Sequence, residues 1–238
     1  MNKNTLMVFL VCALFGLRAF SQETAESPET DFGVQKGRIY TAITFSLNQR
    51  NAENEDQLLR QVIDQDRLNY QVTSNTGYAV KDNMTLGLSL GYGRKKEEIT
   101  FLDENQDEIT SKRLEQGFSF VPNMRNYIPI GKGQLQILVQ TELGFTAGES
   151  LERVFYENEI DKIEGKYFEI GLGVSPGVAL FFDRHWALEA TVGIAGLSTR
   201  IEEEVLNNDE QNKQRITETN IDLRLNLLSL NLGVAFYF

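Results

Sequence analysis

Five charged residues lie one step away from apolar neighbours in stretches that otherwise alternate: Arg38, Arg125, Glu142, Glu169 and Glu189. Asp222 and Arg224 join them if the last stretch of chain is read in the same way. Arginines and glutamates gathered on one face of a sheet can do two things. They can neutralise one another as a salt-bridge core, or they can line a narrow polar conduit. An unpaired ion in a lumen too narrow for bulk water costs several kcal/mol, so these groups are expected to pair. Other chemistry is poorly provided for. The single histidine, His185, sits beside Asp183 and Trp186 in a short polar turn, where it reads as a solvated turn residue rather than a base for a serine nucleophile. The only cysteine, Cys12, lies in the leader, so no thiol chemistry, disulfide or histidine–cysteine metal cluster is expected in the mature chain. No catalytic, metal or cofactor residues are assigned. GLGVSPG at 171–177 lacks the full GxGxxG spacing and has no helix after it, so its glycines read as one small-residue row of a strand.

The elements that must hold these charges are strands. Ile39, Thr41, Ile43, Phe45 and Leu47 alternate with Arg38, Tyr40, Ala42, Thr44 and Ser46. A second strand, about 68–80, sets Leu68, Tyr70, Val72, Tyr78 and Val80 against Asn69, Gln71, Thr73, Asn75, Gly77 and Ala79. The polar turn Lys81–Asp82–Asn83 reverses it into Met84, Leu86, Leu88, Leu90 and Tyr92, which makes a hairpin. The fourth strand ends in FSFVPNMRNYIPIG, and a turn at Gly131–Gly133 opens the fifth, with Leu135, Ile137, Val139, Leu143 and Phe145 on one face. Phe168 to Leu180 form the sixth, and Asp183–His185 turns it into the seventh, where Trp186, Leu188, Ala190, Val192 and Ile194 oppose Ala187, Glu189, Thr191, Gly193 and Ala195. The eighth ends the chain with Leu228, Leu230, Leu232, Val234, Phe236 and Phe238 facing one way.

Four charged stretches, 49–67, 94–110, 149–164 and 200–218, separate these strands in alternation with the three short turns. They read as long loops, and Leu58, Leu59, Val62 and Ile63 have the spacing of a short helix in the first. Together they carry a net charge of -12. Even strand number, short turns on one side and long loops on the other are the signature of a transmembrane barrel whose termini share the short-turn side. A soluble barrel would carry its bulky apolar set inward. Aromatic residues near strand ends (Tyr78, Tyr92, Phe182, Trp186, Tyr237) suit the two bilayer interfaces.

Residues 1–21 read as a cleaved secretory signal: Lys3, an apolar run from Leu6 to Leu17, and Ala19 and Ser21 before Gln22. The run is too short for a spanning helix, which needs about 20 residues. Losing Lys3 and Arg18 with it moves the formal charge from -11 to -13, which disfavours a nucleic-acid partner. Residues 22–36 are acidic and read as a flexible segment, and 37–238 as one barrel domain. No spacing such as DxDxDG marks a calcium loop, although acidic loops could meet divalent cations bridging lipopolysaccharide.

At GYAVKDNMTLGLSLGYG (77–93), FSFVPNMRNYIP (118–129), GLGVSPGVALFFDRHWALEATVG (171–193) and the final LNLGVAFYF, the chain resembles the small outer-membrane β-barrel domain proteins of Gram-negative bacteria, such as the eight-stranded OmpA- and OmpX-like barrels. The resemblance implies an all-β, eight-stranded antiparallel up-and-down transmembrane barrel in the cell outer membrane, both barrel termini periplasmic. It implies contact with outer-membrane lipid and lipopolysaccharide. It also implies recognition by the barrel-assembly machinery through the C-terminal strand, carried by Leu230, Leu232, Val234, Phe236 and Phe238. Extracellular ligands are not specified. A filled lumen is favoured over a narrow porin, because eight strands leave an interior that side chains just fill.

The closing strand contains one conflict. Its apolar set is odd-numbered from Ile221 to Leu227 and even-numbered from Leu228. Either a bulge at Leu227–Leu228 shifts the phase and sends Asp222 and Arg224 into the lumen toward Arg38, or the upper half stands above the bilayer. The bulge is preferred.

Overall fold

The computed structural model describes residues 32–57, 60–102, 107–157, 159–207, 209–223 and 230–238, with side chains except at 50–61, 210, 222 and 223. The leader 1–21 and residues 22–31 lie outside this set. The strands are β1 (Ile39–Gln57), β2 (Arg60–Lys81), β3 (Met84–Leu102), β4 (Glu108–Ile130), β5 (Leu135–Phe155), β6 (Ile160–Phe181), β7 (Trp186–Val192), β8 (Ala195–Leu206), β9 (Lys213–Leu223) and β10 (Leu230–Tyr237). All pairings are antiparallel, and consecutive strands β1 to β7 pair as neighbours. β10 pairs with β7 on one side and with β1 on the other, in a register from Tyr40↔Tyr237 to Ser46↔Asn231. Eight strands therefore close a ring, and over the paired span β1 and β10 satisfy each other's backbone groups instead of presenting an edge to hydrocarbon.

Alternation decides what the wall shows to each side. Ile39, Ile43, Phe45 and Leu47 are exposed while Tyr40 and Ala42 between them are buried, and Ile43 is 65% exposed. The same holds around the ring through Leu86, Leu90, Phe118, Phe120, Ile137, Phe168, Leu180, Leu188, Leu232 and Val234. A continuous apolar outer band over a polar interior is a lipid-facing surface; in water it would be one of the largest exposed patches a protein could carry. At its lower rim Trp186 and Phe238 pack edge-on against Phe236, with ring centroids 4.6 Å apart in each case. Tyr237 does not belong to the rim aromatics as expected: it points inward and is fully buried, because it is one position out of phase with Phe236 and Phe238.

The short turns are as tight as their residues suggest. Asn83 adopts the left-handed region (φ 58) between β2 and β3, as do Gly131 and Gly133 between β4 and β5. The Asp183 carboxylate accepts N–H groups of His185 and Trp186 at 2.6 and 2.8 Å.

The four charged stretches differ from expectation. They are not loops but continuations of the strands, with β4 alone running for 23 residues. At about 3.3 Å per residue that is roughly 75 Å, against the 9–11 residues that suffice to cross a bilayer. The helix expected around Val62 and Ile63 is strand β2, and Val62 is buried; Leu58 and Leu59 lie outside the described residues. The physical reason is that a hairpin satisfies every backbone group without needing an apolar face, so charges facing inward find partners across the lumen while charges facing outward meet water. Among the described residues the extended strands are joined by short connections, such as the 3-10 turn Glu210–Asn212, capped by Asp209 accepting from the Gln211 N–H at 3.0 Å.

The seventh wall strand is interrupted. The outward set is even-numbered in β7 (Leu188) and odd in β8, where Leu197 and Ile201 pair with the outward Leu172 and Phe168. Ile194 and Ala195 therefore do not continue the alternation of β7. Across this break Val192 pairs with Leu230 and Ala195 with Leu223, so two residues separate these pairs along one stretch of chain and six along the other. The phase change expected in the closing strand thus occurs between Leu223 and Leu230: Ile221 is exposed on the outer face, and Asp222 is in register with inward-row Gly196. Leu227 and Leu228, where a bulge is expected, lie outside the described residues.

The segment expected to be flexible as far as Lys36 is docked from Phe32 onward. Val34 is 1% exposed and packs with the lumen residues, while its carbonyl accepts the Asn83 N–H at 2.7 Å. Gln136 donates to the Phe32 carbonyl at 2.7 Å, and the Lys36 N–H donates to Asp82 at 2.8 Å. Two apolar side chains, Phe32 and Val34, supply the burial that the acidic residues before them cannot.

Candidate functional site: the charged lumen

Inward side chains build three levels. The lowest is a floor of Ala42, Ala79, Leu138, Ala179, Phe181, Ala187 and Ala235, with Val34 beneath. Small residues on most strands leave room for three tyrosines. Tyr237 stacks on Tyr40 at 5.7 Å and meets Tyr127 edge-on at 6.4 Å. Tyr40 itself fits because Gly87 faces it; a Cβ there would lie 2.6 Å from the Tyr40 hydroxyl.

On this floor lies the ion pair Arg125–Glu189, 2.9 Å long, with both side chains 4% exposed. Further contacts support both partners. Tyr237 Oη donates to Glu189 Oε1 at 2.9 Å, Arg125 Nε donates to Gln140 Oε1 at 2.8 Å, and the guanidinium lies 4.8 Å from the centroid of the Tyr40 ring. Gln140 passes the chain on to Glu142 at 2.6 Å, and Tyr40 donates to Asn75 at 2.8 Å. Pairing with additional hydrogen bonds is what lets charge be tolerated in so dry a place.

Above the plug the lumen widens into a polar cavity of about 440 Å³ lined by Glu142, Glu169, Ser119, Thr146 and Ser198, reaching the wall break at Gly193–Ile194. Glu142 and Glu169 form no ion pair among the described residues, contrary to the expected pairing. Both are only half-buried, so water can solvate them where it cannot reach Glu189.

The third level lies in the strand extensions. Arg113 on β4 holds Glu115 at 2.8 Å and reaches Glu152 on β5 at 3.5 Å and Glu202 on β8 at 3.4 Å. Arg200 on β8 bonds Glu115 at 3.3 Å and Glu202 at 2.9 Å and sits 3.8 Å from the centroid of the Tyr167 ring. Ser150 donates to Glu202 at 2.5 Å. Toward β2, Glu97 accepts from Gln65 at 2.9 Å and from Arg67, with Lys95 at 3.4 Å. Burial pushes the Glu97 carboxyl up, but the Arg67 hydrogen bond and the Lys95 charge outweigh it, so its pKa falls below the ordinary value. Glu115 is likewise lowered, the opposing burial being overcome by Lys95, Arg200 and Arg113.

Of the expected lumen charges, Arg125 and Glu189 pair, Glu142 joins them through Gln140, and Glu142 and Glu169 both line the cavity. Arg38 belongs elsewhere: it lies at the lower rim, donating to the carbonyls of Tyr237 (2.9 Å), Phe238 (3.4 Å) and Arg184. It precedes the first ring pairing, so inward parity carries it to the mouth rather than the interior. The Asp222 side chain and Arg224 lie outside the described residues. Three tyrosines and the upper arginine–glutamate level went unforeseen. Tyr40 and Tyr237 did fall on the inward parity, but Arg113, Glu115, Arg200 and Glu202 were hidden in stretches read as loops.

A closed ring, a lipid-facing band and a charged interior define a transmembrane β-barrel. No protein-family model matches the sequence, and no curated protein matches it. Among solved structures, the outer membrane protein OprG from Pseudomonas aeruginosa aligns over 87% of this chain and 98% of its own, at 12% identity and a TM-score of 0.45. A major outer membrane protein from Thermus thermophilus aligns over 84% and 99%, at 11% and 0.42. The N-terminal β-barrel domain of Pseudomonas aeruginosa OprF aligns over 87% and 99%, at 14% and 0.30.

Proposed function

We propose that this chain is an integral outer-membrane protein whose barrel is a closed, non-conducting structural module that displays an acidic rim at the cell surface. The observation that supports the reading is the Arg125–Glu189 pair held among Tyr40, Tyr127 and Tyr237, five buried side chains that occupy the lumen at that level. The secretory-type pattern of residues 1–21 and a lipid-facing band together support a barrel-bearing membrane beyond the inner one. In this reading the termini and short turns are periplasmic, and outer-membrane lipid and lipopolysaccharide meet the band. The outward residues Leu230, Leu232, Val234, Phe236 and Phe238 serve the assembly machinery as the closing strand.

No catalytic role is assigned. His185 is an exposed turn residue at the lower rim, its ring against Phe236 at 5.9 Å. The test is conductance of the purified protein in planar bilayers. The plugged reading expects no discrete steps, and reproducible single-channel steps would refute it in favour of a narrow porin using the cavity above the plug.

A further inference from the structure

The outward wall of β3 changes character at the top of the apolar band. Val72, Tyr92 and Phe118 form the last wholly apolar rung on β2, β3 and β4. Phe118 is 71% exposed there, and its ring centroid lies 5.1 Å from that of Tyr92. One rung higher stand Tyr70, Arg94 and Gln116, and the rung above holds Leu68, Lys96 and Leu114. Arg94 and Lys96 are therefore consecutive outward residues of one strand, about 6.6 Å apart along it. Both are exposed, and their long side chains can converge on one small anion.

Their neighbours set these two cations apart. Arg94 faces Tyr70 and Gln116, and Lys96 faces Leu68 and Leu114, so none of the four cross-strand neighbours carries charge. Several other outward cations on this wall are matched: Lys162 holds Glu164 and Lys213 holds Glu203, each at 2.6 Å, while Lys166 stands opposite Glu149 and Arg215 opposite Glu203. The next outward residue of β3, Glu98, is engaged by Lys112 at 2.8 Å. Among the described residues neither Arg94 nor Lys96 has an ion-pair or hydrogen-bonding partner. The acids Glu115, Glu152 and Glu202 point into the lumen, where Arg113 and Arg200 take them up. Tyr92 Oη donates to Gln116 Oε1 at 3.5 Å, which leaves the Gln116 amide N–H groups to donate beside Arg94.

We infer that Arg94 and Lys96 form a binding site for a phosphate monoester on the saccharide headgroup of lipopolysaccharide. The inference rests on the reading above, which turns the strand extensions toward the cell surface and so puts this rung at the level of the outer-leaflet headgroups. A phosphate monoester carries a charge of about −1.5 to −2 at neutral pH, which suits two cations, whereas a phosphodiester brings a single charge. The planar guanidinium of Arg94 takes two phosphate oxygens and the Lys96 ammonium meets the phosphate from above. Gln116 and Tyr70 hydrogen-bond to the sugar on either side, and acyl chains descend over Tyr92 and Phe118.

The test is native mass spectrometry of the full mature chain in detergent and EDTA, with equal amounts of phosphorylated lipid A, the same lipid stripped of phosphate, or palmitoyl-oleoyl phosphatidylglycerol. Phosphorylated lipid A should be retained about tenfold better than the stripped lipid. Arg94→Gln and Lys96→Gln should each lower its retention about three- to fivefold, the size of one exposed charge pair. Arg215→Gln removes an outward arginine at the same height that faces a carboxylate, and should leave retention unchanged. Equal retention of the phosphorylated and stripped lipids, equal retention of phosphatidylglycerol, or an equal loss on Arg215→Gln would overturn the assignment. So would a preference for phosphorylated lipid A that survives both β3 substitutions. The same samples are run for heat-modifiable gel migration. A barrel that shifts on heating but shows no preference for the phosphorylated lipid refutes the site alone, whereas absence of the shift refutes the membrane reading beneath it.

Discussion

Removing the guanidinium of Arg125 while keeping its stem, as Arg125→Met, leaves Glu189 with Tyr237 as its one remaining hydrogen-bond donor among the described residues, in a place where its side chain is 4% exposed. A buried pair broken on one side costs about 3–5 kcal/mol, because the survivor remains an uncompensated charge. Screening does not reduce that figure here, since both partners are buried to the same degree. Further contacts go with the guanidinium: the hydrogen bond to Gln140 and the ring face of Tyr40. Glu189→Gln alone should cost less, because the amide can still accept from Tyr237. The double variant Arg125→Met/Glu189→Gln should recover a large part of the first loss, giving a coupling of about 1–3 kcal/mol. Urea unfolding of the protein in lipid vesicles, followed by tryptophan fluorescence and by heat-modifiable migration, measures all three. A loss below about 1 kcal/mol for Arg125→Met, or strict additivity in the cycle, would refute the dry, paired plug.

Further outcomes follow from the same geometry. Leu232→Arg, on the lipid face and 56% exposed, should cost up to about 2–4 kcal/mol if it lies near the midplane, and the lumen-facing Asn231→Arg should be milder, both by the same vesicle unfolding. The upper level should be sensitive to acid: Glu97 and Glu115 have lowered pKa values, so their stabilisation is present above the unfolded carboxylate value of about 4.3 and fades as pH falls through the lower folded value. Hydrogen exchange, corrected for intrinsic rates, should lose protection at Arg94–Leu102 in strong acid while Met84–Tyr92 keeps it; equal protection of the upper segment at neutral pH and in strong acid would contradict the assignment. Gly87→Val should displace Tyr40 from its bond to Asn75 and cost about 1–3 kcal/mol of unfolding free energy, and a neutral effect would show that the floor is not close-packed.

Alternation was enough to read the wall. A strand's side chains change face at every residue, so Ile39, Ile43 and Phe45 had to lie opposite Tyr40, Ala42 and Thr44 whatever the rest of the chain did. Short polar turns at Lys81–Asn83, Gly131–Gly133 and Asp183–His185 then established which strands were neighbours. The phase conflict between Ile221 and Leu230 was also visible, since parity is a local property. Local pattern could not tell how far each strand continues. Charged stretches carry no apolar stripe to mark them as strand, and only the inward partners across the lumen, Arg113 with Glu202 or Arg200 with Glu115, make the extensions favourable.

The faces of the strands, the order of neighbours and the set of inward charges in the wall were thus written in local pattern alone. Which of those charges meet was a matter for the closed barrel. Arg125 reaches Glu189 from three strands away round the ring, a separation of 64 residues, and Tyr237 completes the bond after the chain has closed. Arg38 shares their parity but sits at the mouth, and Glu142 and Glu169 share it but face a cavity. Parity gives direction, whereas height in the barrel is set by tilt and stagger around a closed ring, and these exist only once β10 has paired with β1.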